Sequence, residues 1–105
     1  MTLDEIFEKM PSAVDPDGAA GVDAVVQFNA STPRYVTIAD GAATVTEGTA
    51  SDPTVTITMA DDDMRDLLTG ELDGMTAFMT GKVQLEGDMM FAQRLGSIFD
   101  INRAA

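Results

Sequence analysis

The sequence predicts an α+β domain of two layers: a five-stranded, mostly antiparallel sheet with helices covering one face, in the order αβββ, a crossover, then βααβα. Three observations lead there. Several stretches alternate apolar and polar residues with period two and are apolar on one face only. Other stretches repeat apolar residues every three or four positions, as one-sided helices do. The length, 105 residues, fits a single hydrophobic core, so the whole chain is expected to form one domain. One-sided strands and one-sided helices bury their apolar surface against each other, which leaves the far face of the sheet in water.

The first helix is expected near the amino terminus, where Leu3, Ile6, Phe7 and Met10 share a face and Thr2 and Glu5 have the spacing of a capping box. Pro11 and the run Val14-Asp15-Pro16-Asp17-Gly18 end it and turn the chain. From Val22 the period is two, with Val22, Ala24, Val26, Phe28 and Ala30 on one face and Asp23, Val25, Gln27 and Asn29 on the other. Ser31-Thr32-Pro33 leads to a second strand, Arg34 to Ala39, which meets a third, Ala43 to Glu47, across the hairpin dipeptide Asp40-Gly41. After a loop from Gly48 to Pro53, Val55, Ile57 and Met59 oppose Thr54, Thr56 and Thr58 in a fourth strand. Two short helices follow, one from Asp61 to Gly70 and one from about Gly74 to Gly81, each stopped by a glycine suited to a left-handed cap. A fifth strand, Lys82 to Glu86, turns at Gly87-Asp88 into a last helix whose stripe is Phe91, Leu95, Ile98 and Phe99.

Composition narrows the chemistry. With 6 basic and 18 acidic residues and no His, the formal charge is −12. The cations Lys9, Arg34, Arg65, Lys82, Arg94 and Arg103 are scattered rather than clustered, so nucleic acid is not an expected partner and an anionic membrane surface would repel the chain. No apolar run approaches the length of a membrane span, and Asp4, Glu5 and Glu8 stand where a secretory signal would be basic. A folded cytoplasmic domain without stable membrane insertion is the expectation.

Without Cys or His there are no disulfides, no thiolate or imidazole metal ligands and no imidazole base. Asp61-Asp62-Asp63 with Asp66 does not match a calcium loop, because Arg65 falls among the ligand positions; acidic residues in a first helical turn complement the helix dipole without a metal. Hydroxyls lack a paired base, and no Gly-x-Gly pattern precedes a helix. A carboxylate pair assembled by folding is the one route to catalysis left open. No catalytic residue, metal or cofactor is therefore expected. The positive feature is eight Met, among them Met59, Met64, Met75, Met79, Met89 and Met90. Flexible, polarizable thioethers fill cores, and they also line surfaces that adapt to varied apolar shapes.

The run Thr56-Ile57-Thr58-Met59-Ala60-Asp61-Asp62-Asp63, then Leu68 to Asp73, Ala77 to Asp88 and Leu95-Gly96-Ser97-Ile98-Phe99, resembles the sterol carrier protein type 2 family of lipid-binding domains. Gln27-Phe28 and the Asp-Gly hairpin followed by Thr44-Val45-Thr46-Glu47-Gly48 extend the likeness to the amino-terminal half. The resemblance implies a non-catalytic protein that binds, and can transfer, sterols, fatty acyl chains or similar lipids in an apolar tunnel between sheet and helices. By position in the motif, Phe78 and Met79 would face that tunnel. The helical stripes add Met64, Leu68, Met75, Met89, Met90, Phe91 and Leu95, and the sheet floor would be Val26, Phe28 and Ile57. An acidic headgroup on the ligand would sit near Arg34, Lys82 or Arg94. The family also includes accessory domains, so a Met-rich groove holding a partner helix is the alternative.

Many eukaryotic members are basic and carry a Ser-Lys-Leu peroxisomal address, whereas this sequence is acidic and closes with Asn102-Arg103-Ala104-Ala105. Because it stops soon after Phe99, the tunnel is expected to be open or shut by a second copy in a homodimer. An empty apolar cavity of about 300 Å³, at about 24 cal/mol per Å³, would cost roughly 7 kcal/mol, so a tunnel is expected to be occupied.

Overall fold

The capping box forms as the sequence predicts. In a computed structural model, which describes residues 2–15 and 17–99 without the side chains of 95–97, Thr2 accepts from the Glu5 backbone and the Glu5 carboxylate reaches back to Thr2. Helix α1 spans Leu3–Lys9 and tightens into a 3₁₀ turn, Met10–Ala13, where Pro11 ends the regular helical pattern. Pro16, within the expected turn, and residues 100–105 lie outside the described residues.

Strands β1 (Ala24–Asn29), β2 (Arg34–Ala39) and β3 (Ala42–Glu47) form an antiparallel meander. Its hairpin holds Asp40 and Gly41 at φ 55° and 76°, the paired positive angles of a tight turn whose twist suits adjoining strands. Strand β4 (Val55–Met59) then lies parallel to β1, and β5 (Val83–Gly87) antiparallel to β4, giving the order β3-β2-β1-β4-β5. Between β4 and β5 come α2 (Asp61–Thr69), ended by Gly70 at φ 85°, and α3 (Gly74–Met79); α4 (Met89–Ile98) follows β5. The α+β architecture and the element order agree with the expectation, with one parallel pair in an otherwise antiparallel sheet.

Register decides what faces the helices. Val26 stands opposite Val36 and Val55, and Phe28 opposite Arg34 and Ile57, so these rows point to one face together with Ile38 and Met59. All are buried. Helix α1 closes the β2 side of this face: the Phe7 ring meets Phe28 edge-on at 5.3 Å between centroids, and the Arg34 guanidinium carbon lies 4.8 Å from the Phe7 centroid. Helix α3 packs on β5 and α4 on β4, with Phe91 and Ile98 in the core. The tail of α4 also returns to the amino-terminal segment through a bridge between Val14 and Phe99.

The opposite face is not wholly solvated, contrary to expectation. To pass from β3, at one edge, to β4, the chain crosses the sheet between Gly48 and Thr54 and covers Gln27, which the alternation had placed outward in water. The buried amide is satisfied by that segment. Gln27 Nε2 lies 3.0 Å from Asn29 Oδ1, 3.3 Å from the Arg34 carbonyl and 3.1 Å from the Gly48 carbonyl, while its Oε1 accepts from the Ala50 N–H at 2.8 Å. Beyond it, Thr54 N–H donates to the Val25 carbonyl and Thr54 Oγ1 accepts from the Val25 N–H, which delivers the chain into β4 beside β1. At this same end of β4, where Val55 stands opposite it, Gly87 sits at φ 98° against the crossing, and an added Cβ there would lie 2.5 Å from the Thr54 carbonyl oxygen.

A second tie joins the β1–β2 loop to α2. The cap residue of α2 is Ala60, which has no side-chain cap; the Asp61 carboxylate instead accepts from the Ser31 backbone N–H at 2.8 Å and from the Ser31 hydroxyl. These bonds, hydroxyl first, hold the exposed Asp61 carboxyl below its ordinary value of 3.8, with the Arg34 charge adding to them.

Two outcomes follow from these ties. Gln27→Leu keeps the volume but strands the Gly48 carbonyl and Ala50 N–H, and is expected to lower unfolding free energy by about 1–3 kcal/mol in urea titrations at unchanged m-value. Asp61 gives up its proton more readily folded than unfolded, so its stabilisation is complete above the ordinary value of 3.8 and fades as pH falls through it and below. Thermal midpoints of the natural chain and of Ser31→Ala should accordingly differ at about pH 6 and draw together as the pH is lowered below 3.8.

Candidate functional site

The residues expected to line a tunnel fall into two groups. Val26, Phe28 and Ile57 on the sheet, Met64 on α2 and Phe91 on α4 belong to the buried core, where they touch one contiguous cluster. Leu68 is half-buried against it. Met75, Phe78 and Met79 on α3 and Met89 and Met90 at the start of α4 are exposed at 63%, 56%, 78%, 43% and 79%. The side chain of Leu95 lies outside the described residues.

The roll of α3 explains this division. Met75, Phe78 and Met79 stand at i, i+3 and i+4, a face that sequence periodicity alone would turn inward. Yet Ala77 is the residue α3 buries. Both ends of the helix are fixed by short bonds. Asp73 caps the start by accepting from the Thr76 N–H at 3.1 Å, while the Gly81 N–H donates to the Phe78 carbonyl and the Lys82 N–H to the Ala77 carbonyl. The chain enters β5 immediately afterwards, so the side of α3 toward the strand has room for a methyl group and the bulky side chains face out.

Helix α4 starts in a comparable way. Asp88 accepts from the Phe91 N–H at 3.0 Å and donates its own N–H to the Thr54 carbonyl, so the first turn is anchored while Met89 and Met90 project to solvent. Large exposed apolar side chains thus flank β5 at both ends, on α3 before it and on α4 after it.

The expected headgroup cations also separate. Arg34 is buried, ion-paired with Asp4 and laid over Phe7, and is thereby committed to holding α1 on the sheet. Lys82 is exposed and lies 3.9 Å from Asp63, and it is tied by its backbone to the end of α3. Arg94, on α4, is exposed and makes no ion pair among the described residues.

Two open clefts lie elsewhere on the molecule. One, of about 420 Å³, is formed by residues 20–23 with Asp40 and Gly41. The other, of about 570 Å³, lies between α1 and β3 and includes Phe7, Arg34 and Val45, with Asp4, Glu8 and Glu47 among its polar residues. Neither includes the exposed side chains of α3 or α4. No described helix is long and apolar enough to cross a membrane, and no group of three potential metal-binding side chains is found among the described residues.

Similarity to known proteins bears on this surface. The model of the SCP-2 sterol transfer family matches residues 3–100. Peroxisomal multifunctional enzyme A of Dictyostelium discoideum is 38% identical over 60 residues, which are 56% of this chain but 14% of that protein. Among solved structures, the palmitated SCP2L2 of Aedes aegypti is 30% identical, with 92% of this chain and 93% of that one covered and a TM-score of 0.74. The sec-alkylsulfatase Pisa1 of a Pseudomonas species contains the same fold at a TM-score of 0.85 and 23% identity, covering 95% of this chain and 16% of that enzyme. With the family match running from the first residue of α1 to beyond the end of α4, the chain belongs to the SCP-2 sterol transfer family.

Proposed function

We propose that this chain is a non-catalytic carrier that binds one lipid, a fatty acyl chain or another elongated apolar molecule, against the helix surface flanking β5. The observation that carries this reading is the outward apolar face of α3, Met75, Phe78 and Met79, in a chain of the SCP-2 sterol transfer family. Fully burying a side chain such as Phe or Met is worth about 1.5–3 kcal/mol, so a hydrocarbon covering that face would gain much of its affinity there. The palmitated relative supports an acyl chain as one suitable guest.

The polar end of such a ligand would meet a strongly acidic protein. Lys82 is the cation joined directly to α3, and with Arg34 enclosed beneath α1 it is the candidate for a carboxylate headgroup, with Arg94 as the alternative along α4. The rival reading, a partner helix laid on the same apolar face, would show itself as weak, non-saturating lipid binding.

The reading is tested by extracting the purified protein with organic solvent for mass spectrometry and by titrating it with a fluorescent fatty acid. A copurifying lipid and saturable binding at one molecule per chain are expected; bare protein with only non-saturating binding overturns the proposal. Phe78→Ser, which makes the centre of the α3 face polar, should weaken the fatty acid at least tenfold while leaving circular dichroism and the unfolding midpoint close to those of the natural chain, because the ring is not part of the core. Lys82→Gln should weaken a fatty acid by about fivefold and leave the matching fatty alcohol unchanged, as measured by displacement of the same probe.

A further inference from the structure

The exposed apolar surface has an unusual chemical make-up. Apart from Phe78, its large side chains are all thioethers: Met75 and Met79 on α3, and Met89 and Met90 on α4. The remaining described methionines, Met10, Met59 and Met64, are sealed in the core. The fold therefore sorts one residue type into a solvent-facing set on α3 and α4 and an enclosed set in the core. Leu would serve burial equally well at either place, but a thioether sulfur is open to oxidation where solvent reaches it.

We propose that Met75 and Met79 on α3 and Met89 and Met90 on α4 are peroxide-sensitive modification sites, whose conversion to methionine sulfoxide makes the helix faces before and after β5 polar without unfolding the protein, and so releases the lipid. The release rests on the functional reading above; the selective oxidation and loss of apolar character do not. The co-reactant is a peroxide. A sulfur lone pair attacks one peroxide oxygen, the O–O bond breaks as the S–O bond forms, sulfur is oxidised by two electrons, and the peroxide is reduced to water. Each sulfoxide replaces a flexible apolar group with a strong dipole and hydrogen-bond acceptor. None of the four belongs to the buried core cluster, so packing beneath them is retained. Sulfoxide reductases of both stereochemical classes would restore the thioethers.

The test treats the full chain, freed of bound lipid, with graded hydrogen peroxide and follows it in three ways. Peptide mass mapping should show oxygen added at Met75, Met79, Met89 and Met90 well before Met10, Met59 and Met64; equal rates in the two sets overturn the proposal. Retention on a hydrophobic-interaction column should fall while circular dichroism stays constant; unchanged retention of the oxidised protein overturns it too. Affinity for the fluorescent fatty acid should drop roughly tenfold and return after treatment with the two reductases. Full affinity in protein oxidised at all four positions overturns the release. A variant with Leu at all four positions, whatever its own starting affinity, should hold that affinity through the same peroxide dose, and a loss there equally overturns the release. If the untreated protein binds no fatty acid at all, the carrier reading and the release fail together, and mass mapping and retention still decide the modification site.

Discussion

Placing β4 parallel to β1 is the constraint on which the rest of this molecule depends. Parallel neighbours cannot be joined by a tight hairpin, so the chain must travel from the end of β3 at one edge to the opposite end of β4. It does so in the short stretch from Gly48 to Thr54, and that stretch has backbone groups to satisfy as it passes over the sheet. Gln27 supplies an acceptor for Ala50 and a donor for Gly48, and Thr54 exchanges bonds with Val25 as the crossing ends. A polar side chain enclosed in this way is costly only if left unpaired, and no buried side-chain nitrogen or oxygen among the described residues lacks a partner. With β4 so placed, Ile57 and Met59 join Val26 and Phe28 in one apolar floor, and β5 can add beyond it.

The helix layer is held to that floor unequally. At the β2 side α1 is fixed by burial of Ile6 and Phe7, by the edge-on contact with Phe28 and by the Arg34–Asp4 pair, an arrangement that uses a cation for architecture. At the β5 side α3 contributes only Ala77 to the core. The apolar groups that a tighter helix would bury are left facing outward. That asymmetry, one helix fastened through its apolar face and another that leaves its apolar face outward, fits a protein of the SCP-2 sterol transfer family, since a guest needs apolar surface that the fold itself has not consumed.

Much of the fold is legible in the sequence because its signals are local. The Thr2–Glu5 box, the Asp40-Gly41 hairpin, the alternation of Val55, Ile57 and Met59 and the stop at Gly70 each specify geometry within a few residues. The parallel seam is not local: alternation shows which residues share a face but not which strands become neighbours. Gln27 reads as an outward polar residue because nothing nearby announces that a distant segment will cover it. The site is less legible for a related reason. Met75, Phe78 and Met79 have the spacing of an inward face, and what turns them out is the length of the connections at Asp73 and Gly81, which fix the roll of a helix too short to choose its own. Arg34 looks like a free cation in sequence, and only the register that sets it opposite Phe28 brings it beneath α1.

The strand order leaves β3 and β5 at the two rims of the sheet, and no further strand among the described residues pairs with either. Such rims are templates on which further chains can be laid down in an endless ribbon. Here each rim strand includes a carboxylate, Glu47 on β3 and Glu86 on β5, and the chain as a whole has a charge of −12. Two molecules approaching rim to rim would crowd like charges in a space narrower than the screening length of physiological salt. The acidity that is of no help in recognising an anionic ligand thus acts as a colloidal safeguard, one that a concentrated brine would weaken.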